Sequence, residues 1–185
     1  MGKKLIVSTI PFEFTPEQIN ESMEKNSGRL VVRGILQKAV EENQNGRVYS
    51  RPLLEREAGK YNELINDRRA LGELDHPESS VVNLQNVSHN VTKMWWEGDS
   101  LMGNVEVLST PSGNILKELF KSGITLGISS RGMGTTRENE GKTVVNDDFE
   151  LVAFDFVSNP STRGAFLEPV NLNESVSHET KVVTD

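Results

Sequence analysis

Two apolar runs, Val91 to Trp96 and Leu101 to Leu108, flank Glu97-Gly98-Asp99-Ser100, and in the second run Leu101, Gly103, Val105 and Val107 alternate with Met102, Asn104 and Glu106. A period of two puts alternate side chains on opposite faces of a strand, so this stretch predicts a hairpin with one buried face. The rest of the chain has to cover that face. From Pro52 to Ala70 the period changes: Leu54, Ala58, Tyr61 and Ile65 share one side of a helix whose other side is charged. Thr15-Pro16-Glu17-Gln18 places a hydroxyl at the N-cap, Pro at N1 and Gln at N3, predicting a short helix with Ile19 and Met23 inward. A third helix is expected from Thr110-Pro111 to Gly123, with Ile115, Leu116, Leu119 and Phe120 toward the core and Gly123 at C′. Arg29 to Leu36, Ile124 to Ser130 and Phe149 to Val157 read as strands. Arg131 to Val145, with the turn composition Glu138-Asn139-Glu140-Gly141-Lys142, reads as a long hairpin loop. The mixture predicts an α+β fold, a mainly antiparallel sheet or closed barrel with a few packed helices.

The chain has 185 residues, 35% of them hydrophobic, which suits one domain over 1–170 and a flexible tail over 171–185, where neither period is present. No internal repeat is found. With 27 acidic against 20 basic residues and a net charge of −7, general affinity for nucleic acid is disfavoured, because that affinity comes from Lys and Arg displacing counterions. The absence of cysteine excludes disulfides, thiolate metal sites and a cysteine nucleophile. No apolar run approaches the roughly 20 residues that span a bilayer, and Met1 to Val7 is too short for a signal sequence. A soluble, intracellular protein without nucleic-acid or membrane partners is expected.

Three places could carry chemistry. Of the three histidines, His178 falls in the tail and His89 in the polar stretch Asn86-Val87-Ser88-His89-Asn90, which reads as a loop, whereas His76 follows the long helix in Gly72-Glu73-Leu74-Asp75-His76-Pro77. Pro77 holds residue 76 away from the helical region. Alone, such a histidine is a surface or capping residue. Gly127-Ile128-Ser129-Ser130-Arg131-Gly132 ends an apolar strand, and only one of two adjacent serines can address a given side of it. Its glycines would let a substrate backbone approach, and the amides around Arg131 and Gly132 are candidate oxyanion donors; alone, it is a strand running into a turn. Arg131 is equally suited to pair with Glu73 or Asp75. Asp155, within Leu151-Val152-Ala153-Phe154-Asp155-Phe156-Val157, needs a partner if buried and none if it lies on the solvent face. Together the three supply a base, a nucleophile and an acid to orient the base, the set that acyl transfer uses.

Beyond this residue chemistry, the chain resembles the prohead core protein proteases of tailed bacteriophages of the myovirus type, distant relatives of the herpesvirus assemblin proteases. The resemblance runs from about Leu30 to Pro169 through Asn45-Gly46-Arg47-Val48-Tyr49, Pro52-Leu53-Leu54-Glu55, Ala70-Leu71-Gly72-Glu73-Leu74-Asp75-His76-Pro77, Met94-Trp95-Trp96-Glu97-Gly98, Gly127-Ile128-Ser129-Ser130-Arg131-Gly132 and Asp155-Phe156-Val157-Ser158-Asn159-Pro160-Ser161. It implies an assemblin-like β-barrel surrounded by helices and a serine endopeptidase that digests the internal scaffold and trims capsid proteins. Carried over by position, His76 is the catalytic histidine, Ser129 the nucleophile and Asp155 the nearest match to the third member. The herpesvirus relatives use a second histidine there, and His89, between His76 and Ser129, does not match that order. No cofactor is implied. Self-association in the prohead core, inside the host cytoplasm, is expected.

Relatives favour cleavage after Leu-x-Glu or Ile-x-Glu, and Leu172-Asn173-Glu174 opens the tail, so self-cleavage between Glu174 and Ser175 is expected. Leu71-Gly72-Glu73 and Leu116-Lys117-Glu118 fit the pattern too but stand in segments expected to be folded. A metal-dependent hydrolase with Glu73, Asp75 and His76 as ligands is a weaker reading, because the three crowd one turn and a zinc site draws ligands from more than one segment. A noncatalytic scaffold or capsid component that keeps the fold is the alternative from a different class.

Overall fold

The computed structural model describes residues 2–12, 15–75 and 77–158. His76, Glu174, Ser175 and the tail read over 171–185 lie outside the described residues. The order of elements is β1 (Lys4–Phe12), α1 (Pro16–Lys25), β2 (Leu30–Lys38), β3 (Arg47–Val48), α2 (Arg51–Asn66), β4 (Leu71–Glu73), β5 (Val87–Glu97), β6 (Ser100–Val107), α3 (Pro111–Lys121), β7 (Leu126–Gly134), β8 (Thr136–Asn139), β9 (Lys142–Val145) and β10 (Glu150–Ser158). A single 3-10 turn, Leu84–Asn86, precedes β5.

The helices start where their caps dictate. Thr15 accepts from the Gln18 amide while Gln18 returns a bond to the Thr15 amide, a complete capping box. Ser50 and Thr110 cap α2 and α3 with their hydroxyls alone, accepting from the Leu53 and Gly113 amides, each followed by proline in the first turn. The expected face of α2 is buried, and Glu57 is buried with it, accepting from the Leu151 amide. In α3 the expectation fails at Ile115, which is 55% exposed, while Leu116 and Phe120 are buried and Leu119 packs partly buried against the core.

The strands form three sheets, β1-β7-β10, β2-β6-β5-β4 and β3-β9-β8, antiparallel except where β3 meets β9. The predicted hairpin is β5 and β6, with Leu101, Val105 and Val107 buried between the first two sheets. Phe156 lies at the centre of that core, its ring edge-on to Phe12 at 5.1 Å, to His89 at 4.7 Å and to Phe120 at 5.3 Å. Between the two larger sheets one isolated bridge, Leu74 to Phe156, is found, and no closed barrel forms among the described residues. The fold is α+β and mainly antiparallel.

Four sequence expectations need correction. β1, a neighbour of β7, is a strand the sequence reading passed over, although Ile6, Val7, Thr9 and Ile10 are β-branched. The strand expected to end at Ser130 continues to Gly134, because β1 and β10 pair with it along its whole length. The expected loop from Arg131 to Val145 therefore consists of the end of β7 and the β8-β9 hairpin, which turns at Glu140 and Gly141, both with positive φ. The stretch around His89, read as a loop, is the first half of β5 and is fully buried. Two of its polar side chains find partners inside: Ser88 Oγ donates to His89 Nδ1 at 2.7 Å, and His89 Nε2 donates to the Phe154 carbonyl at 2.8 Å.

Candidate active site

β7 is the central strand of its sheet, and its register places Thr9, Ser129 and Asp155 side by side. Directly opposed residues share a face, so Ser129 and Asp155 face one way, with Cβ atoms about 5 Å apart for such a pair. Ser130, aligned with Ser8 and Phe154, faces the other way. Both serines are buried, but their surroundings differ. Ser130 Oγ accepts from Gln37 Nε2 at 2.8 Å, next to a Ser8–Tyr49 hydroxyl pair at 2.9 Å. The Tyr49 hydroxyl is pushed above its ordinary range by burial. Ser129 Oγ has no hydrogen-bond partner among the described residues.

Beside Ser129 lies a buried ionic cluster. Arg131 Nε donates to Asp155 Oδ2 at 2.8 Å and Arg131 Nη2 to Asp155 Oδ1 at 3.0 Å, a bidentate pair with both side chains 0% exposed. The Glu73 amide donates to Asp155 Oδ1 at 3.0 Å, and Glu73 Oε2 accepts from Arg131 Nη2 at 3.2 Å. Asp155 is therefore a buried carboxylate with partners, and of the two carboxylates expected for Arg131 the structure selects Glu73. Asp75 is exposed. Glu73 also accepts from the Asn83 amide at 2.8 Å and from Asn86 Nδ2 at 3.3 Å, so its oxygens are occupied by donors. That occupancy removes it as the metal ligand considered from sequence. No group of three or more potential metal ligands is found among the described residues.

β4 leads to position 76. Gly72 is required there by close approach, since a Cβ on it would collide with the Phe154 carbonyl and His89 Nε2. Leu74 bridges Phe156, and the Asp75 amide donates to the Phe156 carbonyl at 2.6 Å. Asp75 has φ +70°, a strained conformation for a non-glycine residue immediately before His76. Asp75 thus stands beside β10, the strand that carries Asp155 and pairs with β7.

The other expected participants are placed as follows. Arg131 and Gly132 stand inside β7, opposite a bulge where two residues of β10, Leu151 and Ala153, meet Gly132 and Arg131 and Val152 is surplus. Gly132 has no room for a side chain, because a Cβ on it would strike the Phe149 ring and the Glu150 carbonyl. His89 has both ring nitrogens engaged, and burial pushes it down to about 4, against the Phe154 carbonyl and the nearby Glu73 carboxylate. It is a neutral strut between sheets. The motifs Leu71-Gly72-Glu73 and Leu116-Lys117-Glu118 lie mostly in β4 and α3, as expected. Sequence reasoning missed the carbonyl partners of Arg131, Ser79 at 2.9 Å and Val81 at 3.2 Å, for which no sequence signal exists. No described helix is long and apolar enough to cross a membrane.

Over 161 residues the chain is 34% identical to the prohead core protein protease of Enterobacteria phage T4, covering 84% of this chain and 76% of that one. The structure of the bacteriophage T4 capsid assembly protease, gp21, superimposes with a TM-score of 0.73 at 27% identity, over 85% of this chain and 99% of that chain. Residues 10–177 match a family described as prohead core protein serine protease, and the chain belongs to that family.

Proposed function

We propose that the chain is a serine endopeptidase of phage head maturation, with Ser129 as nucleophile, His76 as general base and Asp155 as the acidic member. The observation that carries the reading is the Ser129 hydroxyl: buried, unpartnered among the described residues and on the same face as a buried carboxylate, while its neighbour Ser130 is hydrogen-bonded on the other face. A buried polar atom left without a partner costs stability and calls for a functional reason. Asp75, the residue before His76, is two strand spacings from β7, about 10 Å, since its amide bonds the Phe156 carbonyl of β10, which pairs with β7.

His76 accepts the Ser129 proton as the hydroxyl attacks the scissile carbonyl and then protonates the leaving amine, and Asp155 favours the imidazolium. The amides of Arg131 and Gly132 are the oxyanion donors in this reading, supported by the bulge at Val152, which interrupts the regular ladder beside them. The substrates are scaffold and capsid proteins inside the prohead, cut after Leu-x-Glu or Ile-x-Glu, and the chain cuts itself between Glu174 and Ser175 within a self-associated core. The assemblin-like barrel belongs to the same reading, with the Leu74–Phe156 bridge as one seam.

The test is turnover of a Leu-x-Glu peptide by wild type, Ser129→Ala and Ser130→Ala. The first substitution abolishes turnover and the second leaves most of it; equal activity of Ser129→Ala and wild type rejects the reading. Mass spectrometry of active protein shows a break after Glu174, and an intact Glu174-Ser175 bond removes self-cleavage alone.

A further inference from the structure

Arg131 spends only part of its donor set on carboxylates. Nε and Nη2 meet Asp155, Nη2 meets Glu73, and Nη1 donates to the main-chain carbonyls of Ser79 and Val81, so all five N–H groups have acceptors. Ser79 and Val81 belong to the segment after Pro77, which has no regular secondary structure. Of its two valines Val81 is 68% exposed and Val82 only partly buried, so burial does little to hold the segment. Polar bonds hold it instead. Glu73 closes it from the far side through the Asn83 amide, and the Asp75 amide is bonded to the Phe156 carbonyl.

We propose that Arg131 is a positioning residue: rooted in β7 two residues from Ser129, its guanidinium fixes the main chain of 77–83, the stretch that directly follows His76 in the sequence, against the nucleophile strand. The inference rests on the serine-protease reading. Lysine at 131 keeps the charge but offers a point cation with three donors, which cannot reproduce a planar fork reaching two carboxylates and two carbonyls. A displacement of this loop by about 1 Å costs rate on the order of 10²-fold without removing any substrate contact.

The experiment compares wild type, Arg131→Lys, Glu73→Gln and Ser129→Ala, each shown folded by near-UV circular dichroism, in three measurements. These are kcat and KM on a Leu-x-Glu peptide, labelling of the serine by a fluorophosphonate, and amide hydrogen exchange. Arg131→Lys is expected to lower kcat and labelling rate about tenfold or more with KM within about threefold, while exchange at residues 79–83 rises about tenfold and β7 stays protected. Where Arg131→Lys does not fold, Glu73→Gln gives the same pattern at smaller amplitude, since its amide oxygen still accepts from Asn83 while its NH2 opposes Nη2. A folded Arg131→Lys with wild-type kcat and labelling overturns the proposal and leaves the protease reading intact, and so does a fall in kcat with unchanged exchange at 79–83. Absence of labelling in wild type, with Ser129→Ala indistinguishable from it, overturns both.

Discussion

The two faces of β7 differ by one residue along the chain and by most of their chemistry. Ser130 faces Gln37 and the Ser8–Tyr49 pair, a network of mainly neutral groups that ties one large sheet to the other and that the Arg47 guanidinium reaches at Ser8 Oγ, 3.3 Å away. Ser129 faces Asp155, and Arg131, on the same side, joins that strand to Glu73 and to the main chain beyond Pro77. Neutral hydrogen bonds suffice where two sheets are already pressed together by apolar side chains. Where an irregular segment must be held without apolar burial, the chain uses a fully buried guanidinium with two carboxylates, bonds roughly twice as strong as neutral ones.

Four measurements sharpen or break this contrast. The largest effect is expected on activity: Ser129→Ala lowers peptide turnover by on the order of 10⁴-fold or more, yet raises the urea midpoint slightly or leaves it unchanged, because the lost hydroxyl had no partner among the described residues. Next, Asp155→Asn leaves the buried Arg131 charge short of an anion and costs about 3–5 kcal/mol of stability, read from urea unfolding at constant m.

The third concerns His89, whose folded pKa of about 4 lies below its ordinary 6.5. The unfolded chain binds the proton first, so this contribution to stability is fully present above pH 6.5 and declines as pH falls toward 4. About 3 kcal/mol is lost across that window. Urea midpoints at pH 7 and pH 4.5 give a smaller difference for His89→Gln than for wild type. The smallest effect belongs to Ser130→Ala, which strands Gln37 Nε2 and costs about 1 to 2 kcal/mol. Its turnover stays near wild type. If Ser130→Ala rather than Ser129→Ala removed turnover, the assignment of the two faces would be reversed.

How much of this was legible in sequence depends on whether a residue's environment is local. The capping box at Thr15, the buried stripe of α2 and the β5-β6 hairpin follow from period and end chemistry, and all three are found. The opposition of Ser129 and Ser130 follows from strand geometry alone. Of the partners of Arg131, Glu73 was one of two carboxylates the sequence offered; Asp155, Ser79 and Val81 could not be read, because they lie 24 to 52 residues away and two of them contribute only carbonyls. His89 was misread because burial of a polar run depends on acceptors supplied by another strand, here the Phe154 carbonyl. Ile115 was placed inward because its period fits; the amount of sheet available to cover it is a tertiary quantity.

The surplus residue at Val152 settles which way the acid points. Leu151 is tethered by Glu57 and paired with Gly132, on the face that Ser130 shares. Counting by twos from there would send Asp155 to that same side, among the Ser8, Tyr49 and Ser130 hydroxyls and away from Arg131. By absorbing one residue the strand changes parity, and the carboxylate emerges beside Ser129. Removing or adding a single amino acid between 151 and 155 would thus exchange the polar and apolar sides of the strand's far half, a frameshift in three dimensions that leaves the composition of the sheet almost untouched.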